Sequence, residues 1–144
     1  MGRRRTLREG RHEVRILVDT NTIISALFYP GSTPAQALYH AAGNHELVIC
    51  DYNISELHRI AAKKFSHMQA DINLFLAEFT YELIPAIEVP QKRIRDPKDA
   101  PILNAAIAAN VDIIITGDKD FLDSGINRPK AMKAAEYLAC YGSI

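Results

Sequence analysis

The sequence predicts an α/β domain built on a parallel sheet. Three observations carry that prediction. Short apolar runs (Ile16-Leu17-Val18, Leu47-Val48-Ile49-Cys50 and Ile113-Ile114-Ile115) are continuously hydrophobic rather than alternating, as in strands buried on both faces. Segments of helical period separate them, which implies right-handed crossovers between parallel strands. Two of the runs lead into carboxylates, Asp19 and Asp118, as expected where strands deliver polar groups to the carboxyl edge of an open sheet.

In chain order, Val14 to Asp19 forms the first strand. Thr20 or Asn21 can cap a short helix over Thr22–Phe28, which Pro30-Gly31 stops. Ser32 or Thr33 caps a helix with Pro34 in its first turn, running to about Ala42 and ended by Gly43-Asn44. Leu47–Cys50 is the second strand. Asp51 to about Lys64 is helical, with Ile54, Leu57, Ile60 and Ala61 at helix intervals. A further helix over about Met68–Phe79 turns Ile72, Phe75, Leu76 and Phe79 inward. Tyr81–Ile84 is a third strand, broken by Pro85, and the stretch to Pro90 is a loop or ragged edge. Asp96-Pro97-Lys98-Asp99 is a turn opening an alanine-rich helix over Ala100–Asn110, with Pro101 tolerated in the first turn. Val111–Ile115 is the strongest strand pattern and runs into the polar turn Thr116–Phe121. Gly125–Asn127 turns the chain back toward a last strand at Pro129–Met132 and a last helix at Lys133–Tyr141.

At 144 residues one domain is expected, spanning 14–144 behind a basic segment at 1–13 expected to be flexible. No run approaches the ~18 apolar residues of a membrane span, the basic start lacks the apolar core of a secretory signal, and Cys50 and Cys140 are isolated. These features suit a cytoplasmic protein. The net charge of zero hides an asymmetry. The first fifteen residues hold six arginines against two glutamates, which leaves eleven basic and fifteen acidic residues in the remainder. An acidic body argues against a simple electrostatic nucleic-acid binder. It fits one that meets a polyanion through divalent cations.

The acidic residues carry the chemistry. Asp19 and Asp118 end strands that, if central and parallel, finish on one edge. Asp99 opens a helix at that edge, Glu56 lies about two turns into the helix after the second strand, and Asp120 follows Asp118 by two residues. Each alone has an ordinary explanation as a turn former, a cap or a surface acid. Together they form an unfavourable cluster of like charge unless a cation neutralises it. Mg2+ or Mn2+ suits a shell of carboxylates and water, and can activate water toward a phosphodiester. Other chemistry is poorly supported. The histidines lack zinc spacing, no glycine-rich phosphate loop appears, and Ser25 and Ser55 lack a nucleophile-elbow context.

Leu17-Val18-Asp19-Thr20-Asn21 with Ile24-Ser25-Ala26-Leu27, then Ser55-Glu56-Leu57, Asp96–Leu103 and Ile115-Thr116-Gly117-Asp118-Lys119-Asp120-Phe121 occur in this order over residues 15–140. In these segments the sequence resembles the PIN-domain family of metal-dependent ribonucleases. More narrowly, it is similar to the bacterial and archaeal PIN proteins that serve as toxins of toxin–antitoxin systems, akin to VapC. The resemblance implies a three-layer α/β/α fold with a central parallel sheet of four or five strands, Mg2+ or Mn2+ as cofactor, RNA as substrate and an antitoxin protein as partner. It implies Asp19, Glu56, Asp99 and Asp118 as the catalytic and metal-binding quartet, Asp120 as an accessory acid on the metal, and Asn21 and Thr116 as groups that orient ligands or water. One departure falls at the third acid, which by spacing from Asp118 lands on Ala100. A one-residue shift restores Asp99, and Asp96 is the fallback.

The leading expectation is therefore a metal-dependent endoribonuclease, the toxin of a toxin–antitoxin pair. The alternative is a catalytically weak PIN-like module that binds RNA or protein. A phospho-accepting receiver or phosphatase fits less well, because a receiver's further acidic pair and following lysine are missing. The apolar residues of the helices at 34–42 and 54–79, among them Phe75, Leu76 and Phe79, are either core or a face for a homodimer or an antitoxin segment.

Overall fold

The structure, a computed structural model, describes residues 14–88 and 100–142. Five strands form one all-parallel sheet: β1 (Arg15–Val18), β2 (Glu46–Cys50), β3 (Glu82–Ile84), β4 (Ile113–Ile115) and β5 (Lys130–Met132), in the spatial order β3-β2-β1-β4-β5. Because the side-chain period of a strand is two, each strand feeds two cores. Ile16, Val18, Leu47, Ile49, Ile113 and Ile115 enter one, and Leu17, Val48, Cys50 and Ile114 enter the other.

Helices cover both faces. On the first lie α1 (Thr20–Phe28), α2 (Thr33–Asn44), α3 (Asp51–Lys64), α4 (Gln69–Ala77, after a 3-10 turn at Ser66–Met68) and α7 (Ala134–Tyr141). On the second lie α5 (Ala100–Ala108) and α6 (Lys119–Leu122), through Ile102, Leu103, Ala105, Ala106 and Phe121. The result is the expected three-layer α/β/α arrangement. The chain leaves β1 by a helix on the first face and β4 by a helix on the second. The crevice between the carboxyl ends of these two neighbours is thus the topological switch point, where open α/β sheets hold their ligands.

Most element boundaries match the sequence reading, and the differences have local causes. The cap of α1 is Asp19 itself, not Thr20 or Asn21. Its side chain accepts from the Thr22 amide, so the helix begins at once after the strand. Ser32 caps α2, which continues through Gly43 and Asn44 to His45 rather than stopping at the glycine. The inward stripe of α3 is Asn53, Leu57 and Ala61, while Ile54 and Ile60 lie at its margin. Helix α5 ends two residues early. The Val111 amide bonds the Ala106 carbonyl and the Asn110 amide bonds that of Ile107, around a left-handed Asn110 at φ 57°, a Schellman closure. Phe75 and Leu76, considered for an interface, are buried in the chain's own core, and Phe79 packs against it. The exposed large apolar residues are Tyr29, Tyr39, Leu74 and Leu83. Among the described residues no helix is long and apolar enough to cross a membrane.

Candidate functional site

Register brings the first two site residues together. Val18 pairs with Ile115 across β1 and β4, so the residues that follow, Asp19 and Thr116, emerge side by side at the switch point. The Asp19 amide reaches the Ile115 carbonyl at 3.2 Å and extends the pairing by one step. Asp19 is only 7% exposed. One carboxylate oxygen, Oδ1, accepts from the Thr22 amide at 2.9 Å and the Thr22 hydroxyl at 2.6 Å. The other, Oδ2, accepts from the Thr116 hydroxyl in a short hydrogen bond.

Thr116 also accepts from the backbone amide of Asp118 at 3.0 Å. One hydroxyl therefore links the ends of both central strands and sets Asp118 beside Asp19. Asp118 in turn caps α6 by accepting from the Asp120 amide at 2.8 Å. Burial pushes the Asp19 carboxyl above its ordinary range. The hydrogen bonds from Thr116 and Thr22 oppose that shift, and the neighbouring negative charge of Asp118 adds to it.

A cleft opens here, lined by Asp19, Thr20, Asn21, Asn53, Glu56, Ile102, Asp118 and Phe121. Glu56, on α3, is held by the Thr20 hydroxyl, which donates to its Oε1 at 2.6 Å. Its other oxygen lies 3.7 Å from the Arg59 guanidinium, one turn further along the helix. Asn21 is exposed at the mouth. Asp120 meets Asp118 through its backbone amide and lies outside the lining of the cleft. Asp99 and Asp96 lie outside the described residues.

The donor set suits a hard divalent cation. Three carboxylates from three separate elements line one cleft. The most buried of them is disfavoured as an anion by its surroundings, and a cation would reverse that. Among the described residues no three Asp, Glu, His or Cys side chains close tightly enough on one point to hold an ion by themselves. Asp118 is close enough to Asp19 to act on its charge, and Glu56 lines the same cleft from α3. Two carboxylates with water are a sufficient protein share for Mg2+.

A sequence model of the PIN domain matches residues 15–120, from the first residue of β1 to Asp120. The chain belongs to the PIN-domain family. A solved structure of similar fold is that of VapBC2 from Rickettsia felis bound to a DNA fragment from their promoter. It aligns with a TM-score of 0.63 at 19% sequence identity over 83% of this chain and 98% of that one, a likeness of fold. No curated protein matches the chain in sequence.

In this PIN domain three polar groups in or behind the cleft have roles that the sequence pattern does not show. Thr22, at the start of a helix, supplies two of the hydrogen bonds to Asp19. Thr20, a cap candidate by sequence, holds Glu56. Asn53 is the third. Its signal was present: it stands four and eight residues before Leu57 and Ala61, a polar residue at the head of an apolar stripe.

Proposed function

We propose that this PIN domain is a divalent-metal-dependent endoribonuclease, using Mg2+ or Mn2+, and acts in the cytoplasm as the toxin of a toxin–antitoxin pair. The observation that carries the reading is the Asp19–Thr116–Asp118 linkage at the switch point of a PIN-family sheet. Asp19 and Asp118 are the direct ligands in this proposal. Glu56 and Asp99 complete the shell or position the attacking water, with Asp96 in reserve for Asp99. Asp120 is an accessory acid, and Asn21 and Thr116 orient ligands or water.

When bound, the divalent ion supplies charge neutralisation and activation of water for phosphodiester hydrolysis. The chain's own residues prepare the ground for this. Three hydrogen bonds lock the Asp19 carboxylate, so its orientation is set before substrate arrives. Thr116 ties Asp118 to the same frame. Ile102 and Phe121 give the cleft an apolar wall that limits water around the reacting centre.

The decisive experiment compares cleavage of single-stranded RNA by the wild type and Asp19→Asn, with Mg2+ or Mn2+ and with EDTA. Cleavage should require the ion and fall by about 10³-fold or more in the variant, the scale of losing a principal charge-stabilising group. Unchanged cleavage by a folded Asp19→Asn protein would sink the assignment.

The antitoxin partner is proposed on the family and on a surface feature. The feature is a small apolar pocket between α1, α3 and α4, where Ile24, Leu27, Phe28, Ile60 and Phe65 surround the buried Leu57, Ala61 and Ile72. The solved neighbour of similar fold is itself a VapBC2 assembly. A homodimer is proposed alongside it, and a monomer by light scattering at micromolar concentration would remove it.

A further inference from the structure

We infer that Asn53 is a positioning residue of the cleft, acting through the Thr20 hydroxyl to fix the direction in which Glu56 presents its carboxylate. This rests on the metal-site reading above and names a part of that site which no acid motif contains.

The hydrogen-bond directions follow from elementary donor counting. The Thr20 hydroxyl lies 2.6 Å from Glu56 Oε1 and 3.0 Å from the Asn53 amide nitrogen. An ionised carboxylate only accepts, so Thr20 must spend its one proton on Glu56. Whatever else touches the Thr20 oxygen must then donate, and the Asn53 NH2 does. The three groups form a directed relay from Asn53 through Thr20 to Glu56. It joins α3 to the start of α1 and back to α3, one turn from where it began.

A second observation points the same way. Asn53 is 1% exposed, and its carbonyl oxygen has no hydrogen-bond partner. A buried, unsatisfied acceptor is destabilising, and an apolar side chain would remove that penalty. The rest of the stripe, Leu57 and Ala61, is apolar. Such a group in a native core calls for a reason other than packing. The relay supplies one, because the Asn53 NH2 holds the Thr20 oxygen in place while the Thr20 proton goes to Glu56.

The relay also has a competitor. Arg59 approaches the other oxygen of Glu56 at 3.7 Å from a largely exposed position. Without the Thr20 bond, the contact with Arg59 is the one that remains to hold the Glu56 carboxylate. Anchoring by Thr20 holds one oxygen toward the cleft while Arg59 meets the other. Groups behind a ligand orient it in this way, and their loss typically lowers metal affinity by about 10–100-fold.

The test is Mn2+ titration by calorimetry on the full chain, with melting temperature recorded for each variant. Thr20→Val exchanges one hydroxyl for a methyl and should weaken Mn2+ binding about tenfold or more. Asn53→Leu should weaken it to a similar degree, and Thr20→Ser should restore it. In the double variant Thr20→Val/Asn53→Leu the two losses should not add, because both break one relay. A merely structural Asn53 gives additive losses or none, and either result overturns the inference. Should Asn53→Leu fail to fold, Thr20→Val and its serine rescue carry the test alone. Wild-type affinity in Thr20→Val, alongside lost binding in Asp19→Asn, refutes the relay and leaves the metal site standing. No Mn2+ binding by the wild type refutes both.

Discussion

The two edges of the sheet both bury charge, and they treat it in opposite ways. At the amino edge Arg15, 4% exposed, donates to Glu46 at 2.9 Å and to Glu82 at 2.7 Å, across β1, β2 and β3. Its Nε donates to the Ala109 carbonyl. At the carboxyl edge, just past the end of the same strand, the described residues that hydrogen-bond the Asp19 carboxylate supply two hydroxyls and an amide, with Asp118 of like charge beside it. Desolvation works against the charge of Arg15, yet the bonds to Glu82 and Glu46 outweigh it and hold the guanidinium above its usual range. Desolvation also works against the charge of Asp19, and there the opposing hydrogen bonds lose. One edge meets its buried carboxylates with a cation from the chain itself. Among the described residues the other sets two carboxylates side by side, where we propose that a cation binds.

The largest effect is expected at the amino edge. Arg15→Met removes the buried guanidinium that bridges Glu46, 1% exposed, and Glu82. Removing one partner of a buried pair costs about 3–5 kcal/mol. For a domain of this size that is a fall in melting temperature of roughly 10 °C or more. A loss below about 1 kcal/mol would mean that the amino edge tolerates bare charge, and the contrast with the carboxyl edge would collapse.

The reverse is expected at the other edge. Asp19→Asn removes an unfavourable charge while leaving an oxygen to cap α1, so without divalent ions the variant should melt higher than the wild type. A gain of about 1 kcal/mol corresponds to roughly 3 °C here. Millimolar Mn2+ should raise the melting temperature of the wild type and not of the variant. The pH dependence has a defined sign. The folded-state pKa of Asp19 lies above its ordinary value of 3.8. Between that value and the raised one, the folded chain keeps a proton that the unfolded chain has lost. Stability therefore falls as pH rises through this window, and it is unaffected below it. Thermal scans in EDTA should show the wild type losing ground to Asp19→Asn as pH increases. A parallel course for the two proteins would remove the strained-carboxylate account.

What was legible in the sequence follows the same division. The strands were readable because both faces are buried, so Ile16-Leu17-Val18 and Ile113-Ile114-Ile115 are apolar without interruption. Asp19 and Asp118 were readable because they stand at the ends of those runs. The relay partners were not, since a buried Asn or Thr has no periodic signature. Thr20 and Asn53 acquire meaning only when α1 and α3 are docked, whereas Thr22 bonds the cap of its own helix. The ion cluster of the amino edge was hidden for a similar reason. Arg15, Glu46 and Glu82 lie far apart in sequence and meet only through strand register, with Arg15 opposite Glu46.

The smallest effect separates two contacts of a single residue. Asp112 accepts from the exposed Arg128 guanidinium at 2.9 Å through Oδ1 and from the Arg15 backbone amide at 2.8 Å through Oδ2. Exposed ion pairs are worth about 0–1 kcal/mol and weaken with salt, so Arg128→Ala should shift stability by no more than about 0.5 kcal/mol. Asp112→Ala also strips a part-buried amide at the head of β1 of its acceptor, which should add about 1 kcal/mol. Urea titration of both variants at low and high salt measures the gap. The Arg128 term should shrink with salt and the amide term should persist. Equal losses in the two variants would mean that the Arg15 amide finds another acceptor, and that the amino edge owes its order to the Arg15–Glu46–Glu82 cluster alone.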